Sequence, residues 1–148
     1  MKKLGTILSL FTILMVLLSF LTVLFHYMFN IIFIPIQELI IYLHSTIFML
    51  GIVYAFHYDK HVRIDIFYQN YSPEKQRKTN QIGTLLLLIP FFSFIIFSSF
   101  DYIISSWAKL EGSPESGGLP FVFGLKTLIL ILPSSMLIYA LIKMLRGK

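Results

Sequence analysis

Cysteine is absent from the 148-residue chain, and charge is scarce, with Asp, Glu, Lys and Arg making up 13%. The first absence excludes disulfides, thiolate metal sites, iron–sulfur clusters and cysteine nucleophiles. The second excludes a water-soluble domain, which carries roughly 25% charged residues. With 57% hydrophobic residues and a mean hydropathy of +0.81, no water-facing surface can be built without large apolar patches. Catalytic signatures are missing as well. There is no phosphate loop, no HExxH, no GxSxG and no metal-ligand spacing. The chain reads as an integral membrane protein and not as an enzyme, with no cofactor of its own.

What is present is apolar runs separated by one sustained polar interval. Residues 4–29 form a run of about 25 residues, beyond the roughly 7–15 of a signal-peptide core, and no small-residue cleavage site follows. It is expected to remain as a first span. His26, Tyr27 and Asn30 mark its far end, and Pro35 separates it from a second span. The expected spans are about 5–29, 36–56, 81–106 and 121–141, with an inside segment at 57–80 and an outside loop at 107–120. The fold class is all-α, one membrane domain of four helices.

The third helix is predicted to start before it enters lipid. Ser72-Pro73-Glu74 supplies an N-cap, a proline for the first helical position and a carboxylate at the positive end of the dipole. Pro90 is expected to kink this helix. Residues 62–71 are ambiguous between an extended strip and a short interfacial helix, and the helix is preferred.

The formal charge of +5 does not mark a nucleic-acid binder, because the basic residues are not gathered on one face. Of the twelve Lys and Arg, Lys2 and Lys3 open the chain; Lys60, Arg63, Lys75, Arg77 and Lys78 lie in the polar interval; Lys143, Arg146 and Lys148 close it. Such a bias places both ends and the interval in the cytoplasm.

Three ionisable residues fall inside the spans: Glu38, Asp101 and Lys126. Each costs several kcal/mol in lipid unless paired or solvated. All three are expected at similar depth on the outer side. The favoured reading is a structural ion pair of Lys126 with Glu38 or Asp101, and the rival reading is a coupling carboxylate in a stand-alone proton-coupled exporter acting as a dimer. His44 lies mid-span; a hydrogen-bonded packing role is preferred to haem ligation, since His26, His57 and His61 fall near span ends.

Several strings occur together in order: Glu38-Leu-Ile-Ile-Tyr-Leu-His44, His61-Val-Arg63-Ile-Asp65, Ser106-Trp107, and Glu111 through Gly117-Gly118-Leu119-Pro120 with Lys126 beyond it. Together they resemble the small permease (Q) subunit of tripartite ATP-independent periplasmic (TRAP) transporters, and the last string looks most like the mannitol/chloroaromatic-type branch. The resemblance implies a multi-pass protein of the bacterial inner membrane. It would be an accessory scaffold subunit of a sodium-coupled, binding-protein-dependent secondary transporter for an organic acid or similar solute. Its implied partners are a large multi-span permease, which would bind the sodium, a periplasmic solute-binding protein and membrane lipid. Carried over by position, Arg63 and Asp65, with His61 beside them, would fix the cytoplasmic segment. Trp107, Glu111, Gly117, Gly118 and Pro120 would form the periplasmic side, and Glu38 with Lys126 would be internal structure, with Asp101 as the other candidate carboxylate.

Overall fold

The computed structural model describes residues 2–58 and 70–145. Among the described residues the chain forms four helices: α1 Lys2–Phe29, α2 Ile34–His57, α3 Pro73–Ala108 and α4 Val122–Leu145. All four contain segments long and apolar enough to cross a membrane, and no strand occurs among the described residues. The expected segment 62–71 lies largely outside the described residues, as do His61, Arg63 and Asp65.

Five hydroxyls in the first two apolar helices are satisfied within their own turns. Ser9, Thr12, Ser19 and Thr22 of α1 and Thr46 of α2 each donate to the carbonyl four residues back, at 2.8–3.0 Å. This removes the cost of an orphan donor in lipid, so the hydroxyls do not break the apolar surface.

α1 ends in a left-handed (αL) cap. Asn30 adopts a left-handed conformation (φ 54°), its N–H donates to His26 O at 2.9 Å, and the Ile31 N–H reaches back to Phe25 O at 3.4 Å. Pro35 does not stand between the spans as expected. It occupies the first turn of α2, where its missing N–H would have had no partner.

α3 begins as the sequence predicts. Ser72 Oγ accepts from the Lys75 N–H at 3.4 Å, Pro73 follows it, and Glu74 pairs with Lys78 at 3.2 Å. The helix then runs unbroken for 36 residues, about 54 Å, against a hydrocarbon layer of about 30 Å. Its polar first turns therefore project well beyond the apolar layer. Thr84–Leu88 form a π-helical turn, closed by the Ile89 N–H donating to Thr84 O. Pro90 follows at once and has no N–H to give Leu86 O, so the ladder widens where the proline would otherwise break it. Pro133, inside α4 and fully buried, is a second proline within a span.

Packing runs in the order α1–α2–α4–α3, with each helix resting mainly on its neighbours in that row. The buried set is small: Leu8, Leu43, Ile103, Met136 and Ala140, joined by Ser106 and Pro133. α1 approaches α2 closely at Gly5, where a Cβ would stand 2.9 Å from the Tyr54 ring. At the same end Tyr139 of α4 packs edge-on against Phe56 and His57 of α2, and its hydroxyl donates to His57 O at 3.4 Å. α1 and α3 are the outer members of the row, each with one broad face left unpacked by the described residues.

Candidate functional site

The polar groups buried in this chain gather at the end where α1 gives way to α2 and α3 gives way to α4. Leu110 ends α3 in a left-handed conformation (φ 45°), with its own N–H donating to Trp107 O at 3.1 Å and the Glu111 N–H donating to Ser106 O at 3.0 Å. This is the Schellman pattern, built here on a leucine. It turns the chain sharply and throws Glu111 back over the start of α4.

Glu111 Oε2 accepts from Lys126 Nζ at 2.6 Å, and the same ammonium lies 4.0 Å above the centroid of the Tyr102 ring. The lysine side chain is 13% exposed and the carboxylate 39%. The pairing expected for Lys126, with Glu38 or Asp101, is therefore corrected: its partner is Glu111. The Lys126 hydrogen bond holds the Glu111 carboxyl below its ordinary value of 4.5, against the opposing effect of partial desolvation.

Glu38, one turn into α2, is satisfied from a different direction. Its Oε1 accepts from the Ser113 hydroxyl and its Oε2 from the Leu119 N–H at 2.5 Å. Ser113 also closes the loop on itself, its N–H donating to Leu119 O at 3.0 Å and its Oγ accepting from the Glu115 N–H at 3.1 Å. Gly117 takes φ 82°, and Gly118 has no room for a side chain. A Cβ there would overlap Ser113 and stand 2.7 Å from Glu38 Oε1. Charged-group hydrogen bonds of this kind are worth about 1.5–3 kcal/mol. Both carboxylate oxygens of Glu38 are occupied, which leaves it poorly placed as a free coupling carboxylate.

Trp107 is tied into the same end. Its indole N–H donates to Thr127 Oγ1 at 2.9 Å, and its ring meets Phe123 edge-on at 4.7 Å. It remains half exposed, as an interfacial anchor is, but it also latches the end of α3 to the start of α4. Pro120 lies two residues before α4, with Phe121 O accepting the first helical N–H groups.

The fold thus assembles Glu38, Trp107, Glu111, Gly117, Gly118 and Lys126 at one end. Asp101 stays apart, exposed on α3 and without an ion-pair partner among the described residues. His44 is exposed and stacked on Phe48 (centroids 6.4 Å apart), not buried in a polar contact. Ser113, Thr127 and Tyr102 complete the cluster and carry no signal of their own in sequence. One turn beyond Glu38, the Tyr42 hydroxyl is buried with no hydrogen-bond partner among the described residues. No group of three or more candidate metal ligands occurs among the described residues. The chemistry available here is that of a clamp: two carboxylates fasten a folded loop across three helices.

Over residues 15–147 the chain matches the family described as Tripartite ATP-independent periplasmic transporters, DctQ component. No curated protein and no solved structure matches it.

Proposed function

Because the chain belongs to the DctQ family, the small permease component of tripartite ATP-independent periplasmic transporters, we propose that it is the accessory scaffold subunit supporting the large permease of such a transporter. Members of this family work in the inner membrane beside a large permease and a periplasmic solute-binding protein. The match across residues 15–147 is the observation that carries the reading.

The fold supports it. Very few side chains are buried within the chain itself, and two outer helices offer broad apolar faces. The ionisable clamp residues bind one another and the loop, so the end built by Glu38, Glu111 and Lys126 is a rigid support. Transport then belongs to the large subunit, which carries the sodium and an organic acid or related solute. The positive-charge bias supports placing residues 109–121 in the periplasm and the start of α3 in the cytoplasm. The string from Glu111 to Pro120 favours the mannitol/chloroaromatic-type branch.

Reconstitution tests this. Liposomes holding this chain and the large permease, supplied with the binding protein, should take up solute down a sodium gradient. Those holding this chain alone should not. Uptake by the isolated chain, or full uptake by the large permease without it, would reject the scaffold reading.

A further inference from the structure

The two outer helices of the row differ in one respect. The unpacked face of α1, through Leu10, Ile13, Leu17 and Phe20, is apolar throughout, with its hydroxyls already bonded to their own backbone. That face suits lipid. The unpacked face of α3 carries Phe94 and Phe97, the latter 81% exposed; between them in projection lies Asp101, with Ser105 and Ser98 just beyond Phe94. Residues 94, 97, 98, 101 and 105 share one side of a 3.6-residue helix, opposite the Ile103 and Ser106 side that packs on α4.

Asp101 precedes the interfacial Trp107 by six residues, about 9 Å along the axis, which puts it within the apolar layer. An aspartate stem is too short to reach the headgroups as lysine and arginine do. The intramembrane lysine of this chain, Lys126, is already held by Glu111. A carboxylate at that depth is not left facing hydrocarbon. A second copy of the chain docking by a two-fold contact along α3 would set Asp101 near Asp101, like charge against like. The complement is a different chain with a cation.

We propose that the outward face of α3, centred on Asp101 and flanked by Phe94 and Phe97, is the surface that seats the large permease subunit, with a lysine or arginine of that subunit paired to Asp101 inside the membrane. Ser98 and Ser105 let the partner helix come close, and the phenylalanines supply contact area. The proposal rests on the accessory-subunit reading and adds to it which helix makes the contact; the face of α1 is left to lipid.

The test uses the whole transporter in native membranes, with benzoylphenylalanine placed at Phe97 of α3 or, as the control, at Phe20 of α1. Irradiation should join Phe97 to the multi-span permease, identified by mass spectrometry, and join Phe20 to lipid. In parallel, Asp101→Leu should reduce the permease recovered with this chain by about fivefold or more, while Asp101→Glu retains it. Leucine is at home in a lipid-facing helix, and unchanged Trp107 emission would show that the variant is folded. If Phe97 labels only lipid or a second copy, or if Asp101→Leu recovers the permease at the unaltered level, the α3 assignment is overturned and the accessory-subunit reading survives. If no permease accompanies the unaltered chain, both fall together.

Discussion

Gly118 and Glu38 stand so close that a methyl group on the first would lie 2.7 Å from Oε1 of the second. The approach exists because the carboxylate takes its hydrogen bonds from the loop on either side of that glycine, from Ser113 and from the Leu119 N–H. Gly118→Ala should therefore push the loop off Glu38, at a cost of about 1–3 kcal/mol, the scale of overpacking a closed site. Gly112, whose Cβ would meet only Pro120 Cα at an ordinary 3.5 Å, is the control. Thermal unfolding in detergent, followed by the single tryptophan, should show a clear fall for Gly118→Ala and little change for Gly112→Ala. Equal effects would mean that contact with Glu38 is not what requires glycine.

Ser113→Ala removes one donor to Glu38 and leaves the Leu119 N–H in place. The expected loss is about 1.5–3 kcal/mol, since the bond is to a charged group. Combining it with Glu38→Gln should cost less than the sum of the two single changes, because they remove the same contact. Strict additivity in a double-mutant cycle would show that the serine and the carboxylate do not interact.

Lys126→Met strands the Glu111 carboxylate and takes the ammonium from the Tyr102 ring. It should destabilise the α3–α4 end, and adding Glu111→Gln should recover part of the loss; adding Glu38→Gln instead should recover none. Trp107 lies at the same junction, bonded to Thr127, so its emission reports the outcome directly. Recovery with Glu38→Gln and not with Glu111→Gln would reverse the pairing.

The depressed pKa of Glu111 fixes the sign of an acid response. In the unfolded chain this carboxyl titrates near its ordinary 4.5, and in the folded chain Lys126 keeps it charged to lower pH. Its contribution to stability is complete above about 4.5 and is lost as pH falls through the lower folded value. Between neutrality and pH 5 the melting temperature should change little on account of this group. Below that it should decline, and Glu111→Gln should decline less steeply. An identical acid slope in the two proteins would remove Glu111 from the account.

Four spans and the capped start of α3 were legible because they depend on local composition: length of apolar run, Ser-Pro-Glu at the cap, proline where no N–H is needed. The partner of Lys126 was not. Depth alone put it level with Glu38 and Asp101, but the left-handed Leu110 folds Glu111 back over α4. Only fifteen residues separate that pair, on either side of one turn, which was a usable hint. The cradle around Glu38 had none, because it joins residues 75 and 81 positions apart through a hydroxyl and a backbone N–H. Pro35 was misplaced for a simpler reason: a proline near a span boundary fits the preceding turn and the first helical turn equally well, and the four-residue connection 30–33 settles it for the helix.

Tyr42 carries the last prediction. Its hydroxyl is buried one turn from Glu38 and makes no hydrogen bond to any described residue, while both oxygens of that carboxylate are engaged by the loop. A buried donor without a partner costs about 1–3 kcal/mol relative to the same shape without the polar atom. Tyr42→Phe should therefore leave the melting temperature unchanged or raise it, and it should leave the Glu38 clamp intact, so that Ser113→Ala costs the same in either background. A lower melting temperature for Tyr42→Phe would mean that the hydroxyl has a partner in the membrane, either water held beside Glu38 or a group from the large subunit. Repeating the comparison with the large subunit bound separates these two, because only the second makes the loss depend on that subunit.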